Sequence, residues 1–473
     1  MSASLRLREL AGKRIAVWGL GMEGRAALGV LTQFSTPSSI VVLTDDAPTD
    51  AAEVAPGVML RRASLVDPTS IDVIVKSPGV SPYHGEFARF LAAGVPVTGG
   101  AALWFSETGG ERTIGVTGSK GKSTTSSLIA HLLEALNLRV VLGGNVGRAP
   151  IDVLGDHLRG ESAPDWYVLE LSSFQTAEVL SSPKVGVLTA LFPEHLDWHE
   201  TVGRYYDDKC NLFAHRSDGA VAVNIDNPNS ALKFGSIRNA VPYGAAGGFH
   251  VDGTLVRAAS GTEIVDLADS ALVGRHNAVN IAGALAALQL AGVDVVANAH
   301  ELQHGLRSFR PLAHRLERVG QHRGRTVVDD SLSTAPQAAV AALAAFEDRP
   351  VGIIVGGHDR GLDYQPLADA LAARTVATWV CGVPNSGERI IPLIEETLVS
   401  AGVSPDLVRV RAFDDFDDAV RHAADTVPVG GVLLLSPAAP SFGRFRNYAE
   451  RGMHFRSMLG LAPTAHHVGP GPL

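Results

Sequence analysis

Cysteine is almost absent: the 473 residues carry two, Cys210 and Cys381. Two cysteines build no disulfide framework, and such sparing use suits a reducing compartment. An excess of positive charge is missing as well. Lys and Arg number 40 against 49 Asp and Glu, a formal net charge of -9. That balance argues against the basic field a nucleic-acid surface needs. No uninterrupted apolar run reaches the roughly 18 residues of a membrane span. The opening "MSASLRLRELAGKR" has neither the apolar core nor the cleavage site of a secretory signal. The expectation is a cytoplasmic protein without nucleic-acid or membrane partners.

What is present is the composition of a soluble globular chain, 46% hydrophobic and 19% charged, long enough for two to four domains. Short apolar runs alternate with helical patterns: "RIAVWG", "SIVVLTDD", "IDVIVKSPG", "WYVLELSS", "VGVLTALF", "AVAVNID", "PVGIIVGG", "ATWVCG" and "GGVLLLSP". Continuous apolar strands between helices predict α/β architecture with mostly parallel sheets. Nearly every run ends in Gly, Ser, Asp, Asn or Pro, and ligands of such sheets gather at the carboxyl ends of strands. Polar, glycine-rich "SETGGERT" (106–113) and the junction "RSFRPLAHR" (307–315) divide the chain into 1–109, 110–311 and 312–473.

Between a strand and a helix lies "TGSKGKST", Thr117 to Thr124. It is one glycine short of a strict Walker A motif, because Val116 stands where the first glycine belongs. The physics is retained. Gly118 and Gly121 let backbone N–H groups turn inward on phosphate, and the helix start adds positive potential. Lys122 is placed to meet the β/γ-phosphates, and Ser123 or Thr124 to hold Mg²⁺. A chance lysine after a structural turn is the plainer reading, less consistent with glycines, lysine and two hydroxyls in this order.

A second glycine turn, "GLGMEG", spaces Gly19, Gly21 and Gly24 as in a dinucleotide fingerprint, with Asp45 and Asp46 after the next strand. Alone it would suggest an NAD protein, which leaves the other loop unexplained. Glu170 in "LELSSFQ" and Glu194, His195, Asp197 and His199 in "LFPEHLDWH" fall at strand ends. Mg²⁺ takes few protein ligands when phosphate oxygens and water supply the rest, so one Glu and one His are enough. The plainer readings are a turn carboxylate and a core histidine. A zinc pair of His195 and His199 lacks a third ligand nearby, and Pro193 argues for a loop.

"TGSKGKST", "GGNVG", "LELSSFQ", "EHLDWH", "GRHNAVN", "AHRLE" and "DDS" stand in the order found in the Mur ligases, and the sequence resembles that family over its whole length. The resemblance implies three domains: a Rossmann-like domain that binds the UDP substrate (1–109), a central ATP-binding domain (110–311) and a Rossmann-like domain that binds the amino acid (312–473). It implies ATP and Mg²⁺ as cofactors and transfer of the γ-phosphoryl group to a carboxylate. The acyl phosphate is then attacked by an amine. "DDSLSTAP" and "GGHDRGLDY" put Leu332 and Arg360 where the D-glutamate-adding branch has lysines. The sequence is more similar to the branch that adds L-glutamate to UDP-N-acetylmuramoyl-L-alanine and hands its product to an epimerase. The D-glutamate enzyme is the alternative on the same scaffold. A folylpolyglutamate synthase would lack the first 109 residues, and a nucleotide-gated NAD-type binding protein would not need the acid and histidine.

By the same resemblance, Gly118, Ser119, Lys120, Gly121, Lys122, Ser123 and Thr124 cradle ATP, with Ser123, Glu170 and His195 at the metal. Lys209 is the lysine the family carbamylates, and with Lys122 and His195 makes the catalytic set. Asn277, Asn280, His314, Arg315 and Asp330 reach the nucleotide. Gly19, Gly21, Gly24, Ser77, Pro78, Gly79 and Asn145 receive the UDP substrate. Thr334, Arg360, Ser441 and Tyr448 receive the glutamate. The enzyme is expected to act as a monomer.

Overall fold

The computed structural model describes residues 4–45, 52–83, 85–145, 148–160, 163–272, 274–310, 313–359, 362–441 and 443–461. The chain forms two compact units. One is Met1–Asp266 with Val279–Leu306, and the other is Leu267–Ala278 with Arg307–Leu473. No helix of the described residues is long and apolar enough to cross a membrane.

The first unit holds two sheets. The six strands nearest the amino terminus are β1 (Arg14–Trp18), β2 (Ser39–Thr44), β3 (Ala52–Ala55), β4 (Val58–Arg62), β5 (Val73–Lys76) and β6 (Val97–Gly99). They lie in the order β3-β4-β2-β1-β5-β6, parallel except for the β3/β4 pair. The pleat explains why their sequences are continuously apolar. Ile15 and Val17 bury against Val30 and Leu31 of the helix Met22–Phe34 on one face. Ala16 and Trp18 bury with Phe87 and Phe90 on the other. Trp18 meets those two phenylalanine rings at 5.0 and 5.1 Å.

The middle sheet has nine strands: β7 (Thr113–Thr117), β8 (Val140–Gly144), β9 (Trp166–Glu170), β10 (Val185–Leu188), β11 (Ala220–Asn224), β12 (Ala240–Gly244), β13 (Phe249–Asp252), β14 (Leu255–Arg257) and β15 (Glu263–Asp266). Their order is β15-β14-β13-β12-β11-β10-β7-β9-β8, parallel from β8 to β13 with an antiparallel margin beyond. Every residue of β7 is buried. From β7 the chain crosses to β8, returns through β9 and passes to β10 on the other side. The crevice at such a reversal is where α/β sheets hold ligands, and the glycine loop at 118–121 follows β7 directly.

The second unit is built on β16 (Glu317–His322), β17 (Arg325–Asp329), β18 (Val351–Gly356), β19 (Thr378–Val383), β20 (Val408–Ala412) and β21 (Val432–Leu435). Their order is β16-β17-β21-β18-β19-β20, parallel except for β16. The sheet is covered on one face by Leu343, Phe346, Leu367 and Ile394 and on the other by Phe416, Val420 and Phe455. At the margin, β20 points the exposed Arg409 and Arg411 outward, their guanidinium groups over Trp379 and Phe413 at 5.2 and 4.9 Å.

Candidate active site

Three adjacent strands, β9, β7 and β10, bring their polar carboxyl ends together. The loop after β7 is shaped by two left-handed glycines, Gly118 at φ 145° and Gly121 at φ 92°. A Cβ at Gly118 would overlap Thr189 Oγ1, and one at Gly121 would overlap Asn280 Oδ1. The loop therefore tolerates no side chain at either place. Its backbone is pinned by Ser119 N and Lys120 N, which donate to Ala190 O at 2.8 and 3.2 Å. Ser119 Oγ donates to Phe192 O at 2.8 Å and lies 2.9 Å from the Tyr205 hydroxyl. The loop closes on the helix Lys122–Ala135, where Ser123 and Thr124 are 7% and 8% exposed. Lys122 Nζ donates back to Ser119 O at 2.9 Å.

Charge is concentrated around this loop. Lys120 pairs with Glu194 at 2.7 Å. Burial pushes the Glu194 carboxyl up, but Lys120, Lys122 and His195 outweigh it and hold the group below the usual carboxylate range. Lys209, on the helix Val202–Cys210, is 2% exposed and donates to Gly118 O at 2.7 Å. Burial and the neighbouring Lys122 cation hold its ammonium well below the ordinary lysine range, against the pull of Glu194 and Glu170. Lys209 is thus a buried lysine at the phosphate loop, 4.6 Å over the Tyr205 ring, where the plainer sequence reading would make it a surface residue.

Glu170 ends β9 and is 1% exposed. Its Oε1 accepts from Asn145 Nδ2 at 2.9 Å, and its Oε2 has no hydrogen-bond partner among the described residues. A buried carboxylate oxygen left unmet is costly, and a cation is the natural complement. Glu170 therefore fits a divalent cation such as Mg²⁺. His195 is exposed, with left-handed backbone at φ 55°, its ring 4.9 Å from Phe174 and 6.2 Å from Tyr205. His199 does not join it. It is fully buried, with Nδ1 2.6 Å from Asp208 and Nε2 2.9 Å from Ser173 Oγ, so it braces the fold.

The other glycine turn packs against its own sheet. A Cβ at Gly24 would overlap Gly19 O, and Ser77 Oγ donates to Gly19 O at 3.0 Å. Gly21 and Gly79 are exposed and Pro78 half-buried beside this junction. Asn145 N donates to Glu170 O at 2.7 Å, so Asn145 belongs structurally with Glu170 and the phosphate-loop side. Asp46 lies outside the described residues.

In the second unit, His314 and Asp329 meet at 2.7 Å, and Arg456 Nε donates to the same Asp329 oxygen at 2.7 Å. His314, Glu317 and Asp329 come within ligand reach of one another. Arg456 bonds both acids, which makes the group an ion-pair network. Asp330 accepts from Ser436 Oγ at 2.7 Å and Leu316 N at 3.1 Å, and burial pushes it up to about 7. Arg315 Nη1 is buried without a hydrogen-bond partner among the described residues. Asn277 is 5% exposed and falls in this unit, whereas Asn280 falls in the first. Ser441 is 7% exposed, Thr334 is exposed and Tyr448 is 41% exposed. Arg360 lies outside the described residues. Tyr205, Thr189 and Arg456 carry no motif signal in the sequence. Only the packing reveals them.

A glycine loop and lysine-led helix at the reversal point of a parallel sheet define a mononucleotide-binding α/β protein. Family models describe residues 116–288 as a Mur ligase middle domain and 314–439 as a Mur ligase glutamate ligase domain. The chain is 44% identical to the UDP-N-acetylmuramoyl-L-alanine–L-glutamate ligase of Micromonospora sp., over 98% of this chain and 99% of that protein. It is 37% identical to the protein of the same name from Xanthomonas campestris pv. campestris, over 99% of both. Among solved structures it is similar to MurF ligase from Thermotoga maritima in complex with ADP. There the TM-score is 0.58 and the identity 17%, over 95% of each chain. E. coli FolC in complex with DHPP and ADP matches at TM-score 0.54 and 18% identity, over 76% of this chain and 92% of that one. The chain belongs to the Mur ligase family and is an ATP-dependent ligase.

Proposed function

We propose that the protein joins L-glutamate to UDP-N-acetylmuramoyl-L-alanine at the expense of ATP. The observation that carries this reading is identity of 44% and 37%, over nearly the whole chain, to ligases named for that reaction. The site supplies the physical support. A carboxylate is a poor acyl donor, because an oxide would have to leave. Its oxygen first attacks the γ-phosphorus of ATP and ADP departs, giving an acyl phosphate. The glutamate amine then attacks the carbonyl, a proton is lost from nitrogen, and phosphate leaves from the tetrahedral intermediate.

Such phosphoryl transfer depends on positioning and on charge neutralisation. Gly118 to Thr124 present backbone N–H groups, and Lys122 brings a cation to the phosphates. Mg²⁺, held by Glu170 and Ser123 with His195 alongside, would neutralise phosphate charge. Asn277, Asn280, His314, Arg315 and Asp330 face the nucleotide in this reading. Gly19, Gly21, Gly24, Ser77, Pro78, Gly79 and Asn145 serve the UDP substrate. Thr334, Arg360, Ser441 and Tyr448 serve the amino acid. The functional division of the chain is 1–109, 110–311 and 312–473. The enzyme acts as a cytoplasmic monomer whose product an epimerase inverts.

The deciding experiment supplies pure protein with ATP, Mg²⁺, the muramoyl acceptor and either enantiomer of glutamate, and measures ADP. L-glutamate is expected to be used at least about 100-fold better, the scale that mismatched polar groups in a site impose. Turnover with D-glutamate alone would assign the chain to the other branch.

Lys209 is proposed to be carbamylated. Burial and the Lys122 cation hold its amine well below the ordinary lysine range, which favours the uncharged, nucleophilic form that takes up CO₂, losing a proton and becoming an anion next to Lys122. Carbon dioxide depletion is expected to lower activity about tenfold, as loss of an indirect metal partner does. Bicarbonate should restore it, and the Lys209→Met variant should show no response. Full activity in CO₂-free buffer would remove this role.

A further inference from the structure

Four side chains from separate segments of the first unit form one polar chain. Tyr83, in the loop beyond β5, donates from its hydroxyl to both oxygens of Asp208, at 3.0 and 3.1 Å. Asp208 Oδ2 lies 2.6 Å from His199 Nδ1, and His199 Nε2 lies 2.9 Å from Ser173 Oγ. Ser173 opens the short helix Ser173–Thr176, His199 closes Leu196–His199, and Asp208 lies on Val202–Cys210. The Asp208 side chain is 13% exposed, and among the described residues it pairs with no lysine or arginine. Burial and the Asp208 charge push the Tyr83 hydroxyl up, so it remains a donor. His199 Nδ1, facing a carboxylate, carries a proton.

Serine, histidine and aspartate at these separations have the spacing of a hydrolytic triad. The serine, however, is 1% exposed, so no ester or amide reaches its oxygen. A carboxylate so poorly hydrated, with a tyrosine and a histidine as its partners, is an arrangement that folding alone disfavours. Each member of the chain stands beside a residue of the site. Asp208 precedes Lys209, and Ser173 follows closely on Glu170. His199 lies one turn beyond His195 and donates from its backbone N to His195 O at 3.0 Å. Phe174 joins the two histidines, its ring nearly parallel to His199 at 5.5 Å and 4.9 Å from His195. Tyr83 follows Ser77, Pro78 and Gly79, and Ser81 Oγ of the same loop donates to Trp198 O at 3.0 Å. Successive residues of an α-helix point about 100° apart. Holding Asp208 on one side therefore fixes the direction in which Lys209 meets Gly118 O.

We propose that Tyr83, Asp208, His199 and Ser173 are positioning residues of the ligation, which fix the rotation of the helix Val202–Cys210 and so aim Lys209 at the phosphate loop. The inference rests on the reading of Lys209 as a residue of ligation and adds four residues to which that reading gives no part. Asp208 is the acid concerned, since Asp207 is exposed and pairs with Lys233 at 2.6 Å. Because Tyr83 belongs to the loop of Ser77, Pro78 and Gly79, the first sheet contributes to the aim of a lysine that serves the middle one.

The test is a double-mutant cycle on kcat in the full chain. Tyr83→Phe removes one hydroxyl and should lower kcat about 10-fold, the scale of losing a partner that orients a functional group, with KM for ATP and for L-glutamate within about twofold. Asp208→Asn fits the space but offers an N–H in place of one of its two oxygens, and should lower kcat about 100-fold. In a Lys209→Met background either substitution should change kcat by less than about twofold, because residues that act through one another do not add. A purely structural role would lower the melting temperature and multiply with the Lys209→Met loss. That pattern overturns the proposal, as does wild-type kcat in Tyr83→Phe. If Asp208→Asn does not fold, the Tyr83→Phe arm completes the cycle. If Lys209→Met is too slow to time, the amide nitrogen of Ser119 decides, since its peptide holds Gly118 O. Its signal should shift in Tyr83→Phe, and an unmoved signal overturns the proposal. Wild-type turnover in Lys209→Met would instead refute the reading of Lys209 itself, and the inference with it.

Discussion

Lys122→Ala should lower kcat/KM for ligation by about 10³-fold, the scale of removing one preorganised charge from a developing phosphoryl transition state. The loss belongs to the chemistry and not to the fold. The loop itself is held by Ala190 O and by the Ser119, Phe192 and Tyr205 contacts, whereas Lys122 Nζ reaches back to Ser119 O. The melting temperature should therefore stay within about 3 °C, and binding of the muramoyl acceptor should be unchanged. Rapid-quench measurement of ADP formation separates the steps. Ligation at the wild-type rate would refute the phosphate-loop assignment.

Glu170→Gln should lower activity as well, while holding or raising stability. The amide keeps an oxygen for the Asn145 contact at Oε1 and removes the negative charge whose Oε2 has no hydrogen-bond partner among the described residues. Affinity for Mg²⁺ and kcat should each fall about 10²-fold, as when a ligand of a metal site is lost. Relief of a buried unmet charge should hold the melting temperature or raise it by about 2–4 °C. Titration of activity with MgCl₂ and a thermal melt read the two effects separately. A variant that is less stable yet retains the wild-type Mg²⁺ midpoint would show that Glu170 is a structural carboxylate.

The strands that frame the site were legible because burial on both faces leaves a run of aliphatic residues closed by a polar one. The nine quoted runs fall on β1, β2, β5, β9, β10, β11, β18, β19 and β21. The antiparallel margins were not. "FHVD", "LVR" and "EIVD" in β13 to β15 and "ERVGQH" in β16 are short and half-polar, and their pairing is decided by neighbours distant in sequence. The phosphate loop could be read because glycine spacing, a lysine and a helix start act locally. Lys209 was marked by the family resemblance alone, since "YYDDKCNLF" by itself looks like a solvated helix face. Only the fold turns that lysine inward onto Gly118 O. His199 shows the same limit. Its spacing from His195 hinted at a shared metal, but its partners proved to be Asp208 and Ser173, and residue order does not say which acid of Asp207-Asp208 faces it.

The outermost strand of the second unit has a consequence for the protein in a crowded cell. A parallel sheet as aliphatic as β18, β19 and β21 presents, at an open margin, a template on which another polypeptide can add itself. Arg409 and Arg411 on β20 place two cations there, each resting its stem on an aromatic ring. A docking strand would have to strip water from both charges, so a sheet this sticky in its interior stays solitary at its rim.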